Sequence, residues 1–216
     1  MSQFTTWGIV STIVGKLPGT RALSLIAFTG GAMVAALLTL LTTLGSRVAD
    51  ACVSMTISTI QSMPLLMLMF LCFFGLPLLQ VNVSPLLAAS VALIAFTAAF
   101  LTETWRAALK AVPRGQWEAA MSSGMKHGDT LRVIVLPQAV RIATPGTVGF
   151  LVQVVKATAL ASIVGFMEIT RAGTVLNNIT YRPFLIFAII GALYMAINLP
   201  ISFVARRLER RFTFNN

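Results

Sequence analysis

Between Asp50 and Glu103 the chain runs for 52 residues without an Asp, Glu, Lys, Arg or His. A water-soluble domain cannot hide a run of that length, and one membrane-spanning helix needs only about 20 apolar residues. Two spans and a turn account for it. The whole chain has 216 residues, of which 57% are hydrophobic and 10% charged. That leaves no room for a soluble domain of ordinary size beside the spans. We therefore expect one all-α integral membrane domain covering 1–216.

The formal net charge of +10 would suit nucleic acid if the cations formed a patch. Instead they gather at the ends of apolar segments, as Lys and Arg do on the cytoplasmic side of membrane helices. A nucleic-acid partner is therefore not expected, and membrane lipid is. The apolar stretch after Arg21 is too long for a signal h-region, so the first segment is expected to stay as a span. Cys52 and Cys72 lie 20 residues apart in one predicted helix, about 30 Å, too far to pair within it. Both read as packing residues, and with no Cys/His cluster no metal is expected.

Charges and turn formers set five spans. Helix one is expected near Ala22–Gly45 and helix two near Ala51–Leu76. Helix three follows near Pro85–Arg106, helix four lies between Arg141 and Glu168, and helix five lies between Arg182 and Arg206. Pro64 should kink helix two, because a mid-helix proline removes a backbone hydrogen bond. Placing Arg106–Arg141 in the cytoplasm puts eleven cations inside and four outside, with Lys156 within a span. The positive-inside rule then sets the N-terminus outside and the C-terminus in the cytoplasm. The first twenty residues, with Phe4, Trp7 and Ile9, would lie along the outer interface.

The charged segment, roughly 107–137, reads as a short helix, a bend at Gly124 and a second short helix. Asp129 is the expected N-cap, and Pro137 is expected to start a new direction. Trp117, Met121 and Met125 fall at helical spacing and would offer an apolar docking edge. His127, the only histidine, reads as a surface residue of the loop. Within this segment, Glu118-Ala119-Ala120, three residues, Gly124, nine residues, Ile134, one residue and Leu136-Pro137 form a fixed pattern. It resembles the signature of binding-protein-dependent ABC importer permeases. Seven specified residues arise by chance at on the order of 10⁻⁸ per start site.

Further likeness points to the polar amino acid (histidine/glutamine-type) branch of that family. Gly115-Gln116-Trp117-Glu118-Ala119-Ala120 and Leu136-Pro137-Gln138-Ala139 resemble its G-Q-W-E-A-A and L-P-Q-A. Pro64-Leu65-Leu66, Glu103 with Arg106, and Lys156-Ala157-Thr158-Ala159-Leu160 are similar to further stretches. Gln61, Phe100, Ala157 and Ala159 depart from the branch, which usually has Arg, Tyr, Asp and Ser there. Those departures bear on the substrate.

The resemblance implies a type I ABC importer permease: five transmembrane helices with a cytoplasmic helix-turn-helix coupling loop, working by alternating access. It implies that Gly115, Trp117, Glu118, Ala119, Ala120, Gly124, Leu136 and Pro137 engage a dimer of ATP-binding cassette ATPases. A second permease, identical or homologous, and an extracytoplasmic solute-binding protein complete the assembly in a bacterial inner membrane. The chain has no phosphate-binding loop. No cofactor is thus expected in it, ATP and Mg being held by the partner ATPase, and it is not itself an enzyme.

For the substrate path the candidates are Gln61, Ser62, Pro64, Glu103, Lys156 and Thr158. An intramembrane ammonium is costly, so Lys156 is a functional candidate by default, though it could also snorkel to the outer interface. Glu103 could pair with Arg106 three residues on. Glu168, Asn177 and Asn178 are expected outside, where a binding protein could touch them. A secondary transporter or channel would want further embedded ionisable groups. A membrane enzyme would want a nucleophile, base or metal cluster.

Overall fold

The computed structural model describes residues 5–43, 45–80 and 82–213, and these are all-helical. An N-terminal helix α1 (Thr6–Val14), capped by the Thr5 hydroxyl, leads through Gly15 and Lys16 into α2 (Leu17–Thr43). Next come α3 (Arg47–Ser62) and α4 (Leu65–Phe70); α4 runs on as a π turn over Leu71–Gly75 and a 3-10 turn over Leu76–Leu79. Pro85 sits in the first turn of α5 (Pro85–Ala111), behind a Ser84 cap, where its missing N–H costs nothing. Helices α6 (Arg114–Ser122), α7 (His127–Asp129), α8 (Leu136–Ala157), α9 (Ile169–Thr180) and α10 (Pro183–Thr213) complete the order.

Among the described residues, four continuous helical stretches are long and apolar enough to cross a membrane: Thr6–Thr43, Pro85–Ala111, His127–Ser162 and Pro183–Phe212. The fifth crossing is the pair α3 and α4, and it is broken where a kink was expected. The two arms meet at 100°. Met63 (φ −97, ψ 135) and Pro64 (φ −56, ψ 133) are both extended. A proline disfavours the α conformation in the residue before it, so the bend takes two residues.

Helix α5 is central, packed against α2, α3, α4 and α8, with α10 outside α8. The main core joins Leu23 and Ala27 of α2, Leu68 and Met69 of α4, Ala89, Ala92 and Leu93 of α5, and Val154 of α8. Its small side chains let backbones approach, the packing mode membranes favour. A Cβ on Gly31 would lie 2.4 Å from Thr97 Cβ, so α2 and α5 touch there only because residue 31 has no side chain.

Phe4 lies outside the described residues, and residues 5–20 do more than lie flat. Ile9 and Ile13 of α1 are fully buried against Ile169, Leu176, Ile186 and Ile190, which ties α1 to α9 and α10. Helix α9 itself was not expected, since its twelve residues include Arg171, Asn177 and Asn178 and are too short and polar to read as a span. Cys72 packs against the main core, whereas Cys52 is exposed on α3 and is not a packing residue of this chain.

Candidate functional site

The loop between α5 and α8 is built by local rules. Pro113 ends the approach from α5, and α6 carries Gly115, Trp117, Glu118, Ala119 and Ala120. Glu118 and Ala119 are exposed, as are Met121 and Gly115, while Ala120 is buried. Trp117 turns inward, onto a small cluster of Val112, Val135 and Ala139, so the expected docking edge loses its aromatic. Its indole also stacks on His127, with centroids 5.0 Å apart.

Helix α6 stops in a Schellman turn. The Met125 N–H donates to Ala120 O at 3.2 Å and the Gly124 N–H to Met121 O at 2.9 Å. Gly124 takes φ +83, the left-handed region that only glycine visits freely. After the turn the structure departs from expectation. Lys126, not Asp129, precedes the next helix, and that helix does not end at Pro137. His127–Ser162 is one helical stretch of 36 residues. Pro137 falls at the second position of α8, directly after a π segment over Thr130–Val135. Widening the preceding turn accommodates a proline that would otherwise clash with the carbonyl four residues back.

The expected Glu103–Arg106 pair does not form. Both side chains instead reach α3: Gln61 Nε2 donates to Glu103 Oε2 at 2.6 Å, and Arg106 donates to Ser54 Oγ at 3.0 Å and pairs with Asp50. Helix α5 has polar partners available on a neighbouring helix, and these win over a same-helix contact of a few tenths of a kcal/mol. Glu103 also borders a groove of about 490 Å³ between α5 and α8, with Thr104, Ala107, Ile142 and Ala143. Ser62 is exposed beside the Pro64 bend.

Helix α8 presents Gly146, Gln153 and Lys156 as exposed residues. Lys156 lies in the last turn of α8 rather than mid-span. Gly146 meets Thr104 of α5, one residue from Glu103, and Lys156 is ten residues farther along, about 15 Å. The Gln61–Glu103 pair and Lys156 thus stand at different depths. Phe100 and Phe150 stack between these levels, centroids 5.3 Å apart. Thr158 is not on this surface: it is fully buried and donates to Val155 O at 2.8 Å. A second cleft of about 480 Å³ between α2, α5 and α8 carries no charged side chain.

The group that sequence reasoning misplaced is Glu168. Expected outside and available, it is fully buried. Its Oε1 caps α9 by accepting from the Arg171 N–H at 2.9 Å, and its Oε2 accepts from the Tyr194 hydroxyl at 2.9 Å. Burial pushes this carboxyl above the ordinary glutamate range, against hydrogen bonds from Thr170, Arg171 and Tyr194 that act the other way. The signal was faint: one acid between two apolar segments, and one tyrosine inside the last span.

The family described as "Binding-protein-dependent transport system inner membrane component" matches residues 27–214. Among curated proteins, the probable glutamine ABC transporter permease protein GlnP of Bacillus subtilis is 36% identical over 74% of this chain and 75% of its own. The histidine/lysine/arginine/ornithine transport system permease protein HisQ of Salmonella typhimurium is 33% identical over 71% of this chain and 72% of its own. A crystal structure of an amino acid ABC transporter with histidines superposes with a TM-score of 0.88, at 30% identity, over 93% of this chain and 94% of the other. The MetNI methionine ABC transporter, at 20% identity and a TM-score of 0.79, shares the fold. With five apolar crossings, the Glu118–Pro137 signature and a family match over most of its length, the chain is a multi-pass inner-membrane permease subunit of the binding-protein-dependent ABC importers.

Proposed function

We propose that this subunit imports a polar amino acid or a related small solute by ATP-driven alternating access. The relatives named for glutamine and for histidine, lysine, arginine and ornithine support that solute class. In this reading the loop end of the bundle and the C-terminus are cytoplasmic and α1 lies outside, in keeping with the cation distribution. A dimer of ATPases, holding ATP and Mg, grips the loop. A second permease, identical or homologous, closes the path from the other side, and a solute-binding protein delivers from outside.

One observation carries the mechanism: the loop and the far end of the path are on the same rod. His127–Ser162 is continuous, so its 36 residues span about 54 Å. Force applied to α6, where Glu118 and Ala119 are exposed, crosses one turn, whose angle Gly124 sets, and then runs along this rod to Lys156. ATP binding closes the ATPases, the loops follow, and the helices move as rigid bodies between inward- and outward-open arrangements.

Within the path, Lys156 meets the solute carboxylate. The Gln61–Glu103 pair, beside Ser62 and the Pro64 break, forms a second polar station about 15 Å deeper. The experiment is ATP-driven uptake of L-glutamine and L-histidine by the complete transporter in proteoliposomes. Lys156→Met should lower uptake about tenfold or more, the loss of one charge-assisted hydrogen bond. Unaltered uptake by that variant would remove Lys156 from the path.

A further inference from the structure

Four elements meet at one buried carboxylate at the end of the bundle opposite the loop. Glu168 lies between the end of α8 and the start of α9. Tyr194 of α10 donates to its Oε2 at 2.9 Å, and the Thr20 hydroxyl of α2 approaches the same oxygen at 3.4 Å. The Tyr194 hydroxyl lies 3.5 Å from Thr158 Oγ1, in the 3-10 turn that continues α8, and 3.3 Å from Thr170 Oγ1 of α9. Thr20 also accepts from the Ile169 N–H at 3.4 Å. Close approach is built in: a Cβ on Gly19 would stand 2.7 Å from the Met167 carbonyl oxygen.

A full carboxylate is an expensive way to cap a twelve-residue helix, since any Ser or Asn would serve. What Ser or Asn lack is reach and a second oxygen. Glu168 uses one oxygen on α9 and the other on α10 and α2, so the single side chain sets the spacing of three helices. Through Tyr194 it also meets the turn two residues beyond Lys156.

We propose that Glu168 is a positioning residue of the transport cycle: with Tyr194 and Thr158 it holds the last turn of α8, and so the Lys156 ammonium, at a set place relative to α2 and α10. It does not touch the solute. Other buried acids are absent among the described residues, which leaves Glu168 the one group able to lock this joint by charge-assisted bonds. The inference rests on the reading that Lys156 faces the path.

The test uses the assembled transporter in proteoliposomes, with Cys52→Ser, Cys72→Ser and Lys156→Cys, and a membrane-impermeant methanethiosulfonate as probe. Glu168→Ala should change the labelling rate at position 156 about tenfold or more, as expected for losing a charge-assisted bond. Tyr194→Phe should shift it in the same direction, and Glu168→Gln, which keeps the reach and one acceptor oxygen, should shift it less than Glu168→Ala. Labelling of Trp7→Cys, exposed on α1 at the outer end, should not move. If Glu168→Ala does not assemble, Tyr194→Phe decides. A parent-like rate at 156 in an assembled Tyr194→Phe transporter overturns the proposal. Unchanged uptake by Lys156→Met would remove only the path reading, since the labelling shift would stand without it.

Discussion

Replacing Gly124 with valine isolates backbone conformation from packing. A Cβ at 124 would meet no atom within 4 Å, yet the residue sits at φ +83. Clash with a neighbour therefore contributes nothing, and the whole cost is the left-handed region, about 1–2 kcal/mol for an L residue and at the upper end for a β-branched one. At about 2 kcal/mol the population holding the Schellman turn falls roughly thirtyfold. The loop then leaves α6 at another angle to the rod that starts at His127. Gly124→Asn should lose less, because asparagine tolerates this region. Gly128→Ala is the control: it too has open space around its Cβ, but no positive φ, and it should be neutral. The assay is solute taken up per ATP hydrolysed in proteoliposomes, with membrane-inserted protein quantified alongside. The expected result is Gly128→Ala equal to parent, Gly124→Asn intermediate and Gly124→Val lowest, at equal insertion. Parent-level coupling in Gly124→Val would refute the idea that the turn angle transmits force.

Other consequences are more local. Gly31→Ala pushes a methyl against Thr97, with 2.4 Å between Cβ atoms; overpacking of this kind costs about 1–3 kcal/mol, read as a lower Tm of the detergent-solubilised protein. Asp50→Asn and Arg106→Met, singly and together, should give a coupling energy of about 1 kcal/mol in a double-mutant cycle, because Asp50 is half-exposed. Glu168 binds its proton more tightly folded than unfolded. That contribution is fully present below the ordinary glutamate pKa and is lost as pH rises through the raised one. Glu168→Gln should therefore flatten the fall of Tm over that window, and an unchanged slope would show that the group titrates normally in the fold.

The spans were legible because the bilayer imposes length: Arg21 to Arg47 and Arg182 to Arg206 bracket uncharged runs that only helices can satisfy in lipid. The turn at Gly124 was legible too, being a local backbone matter. What stayed hidden were partners far apart in sequence. Arg106 and Asp50 are 56 residues apart, and Thr20 and Glu168 are 148 apart, so no periodicity links them. Glu168 looked like the edge of a span because acids usually mark water; the Arg171 N–H together with the Tyr194 and Thr20 hydroxyls satisfies it in its buried place. Pro137 looked like a stop, since the sequence carries no mark of the π segment that lets the helix run through it. Helix α9 failed every span test and was held instead by Leu176 and Ile169 against α1 and α10.

The central claim is that a separate ATPase moves this chain through its loop. The most direct measurement is solute entry into proteoliposomes holding the permease with and without its ATPase, binding protein loaded outside and ATP inside. Entry should require the ATPase and hydrolysable ATP, and should persist when ion gradients are collapsed. Entry through the permease alone, driven by an ion gradient, would contradict it.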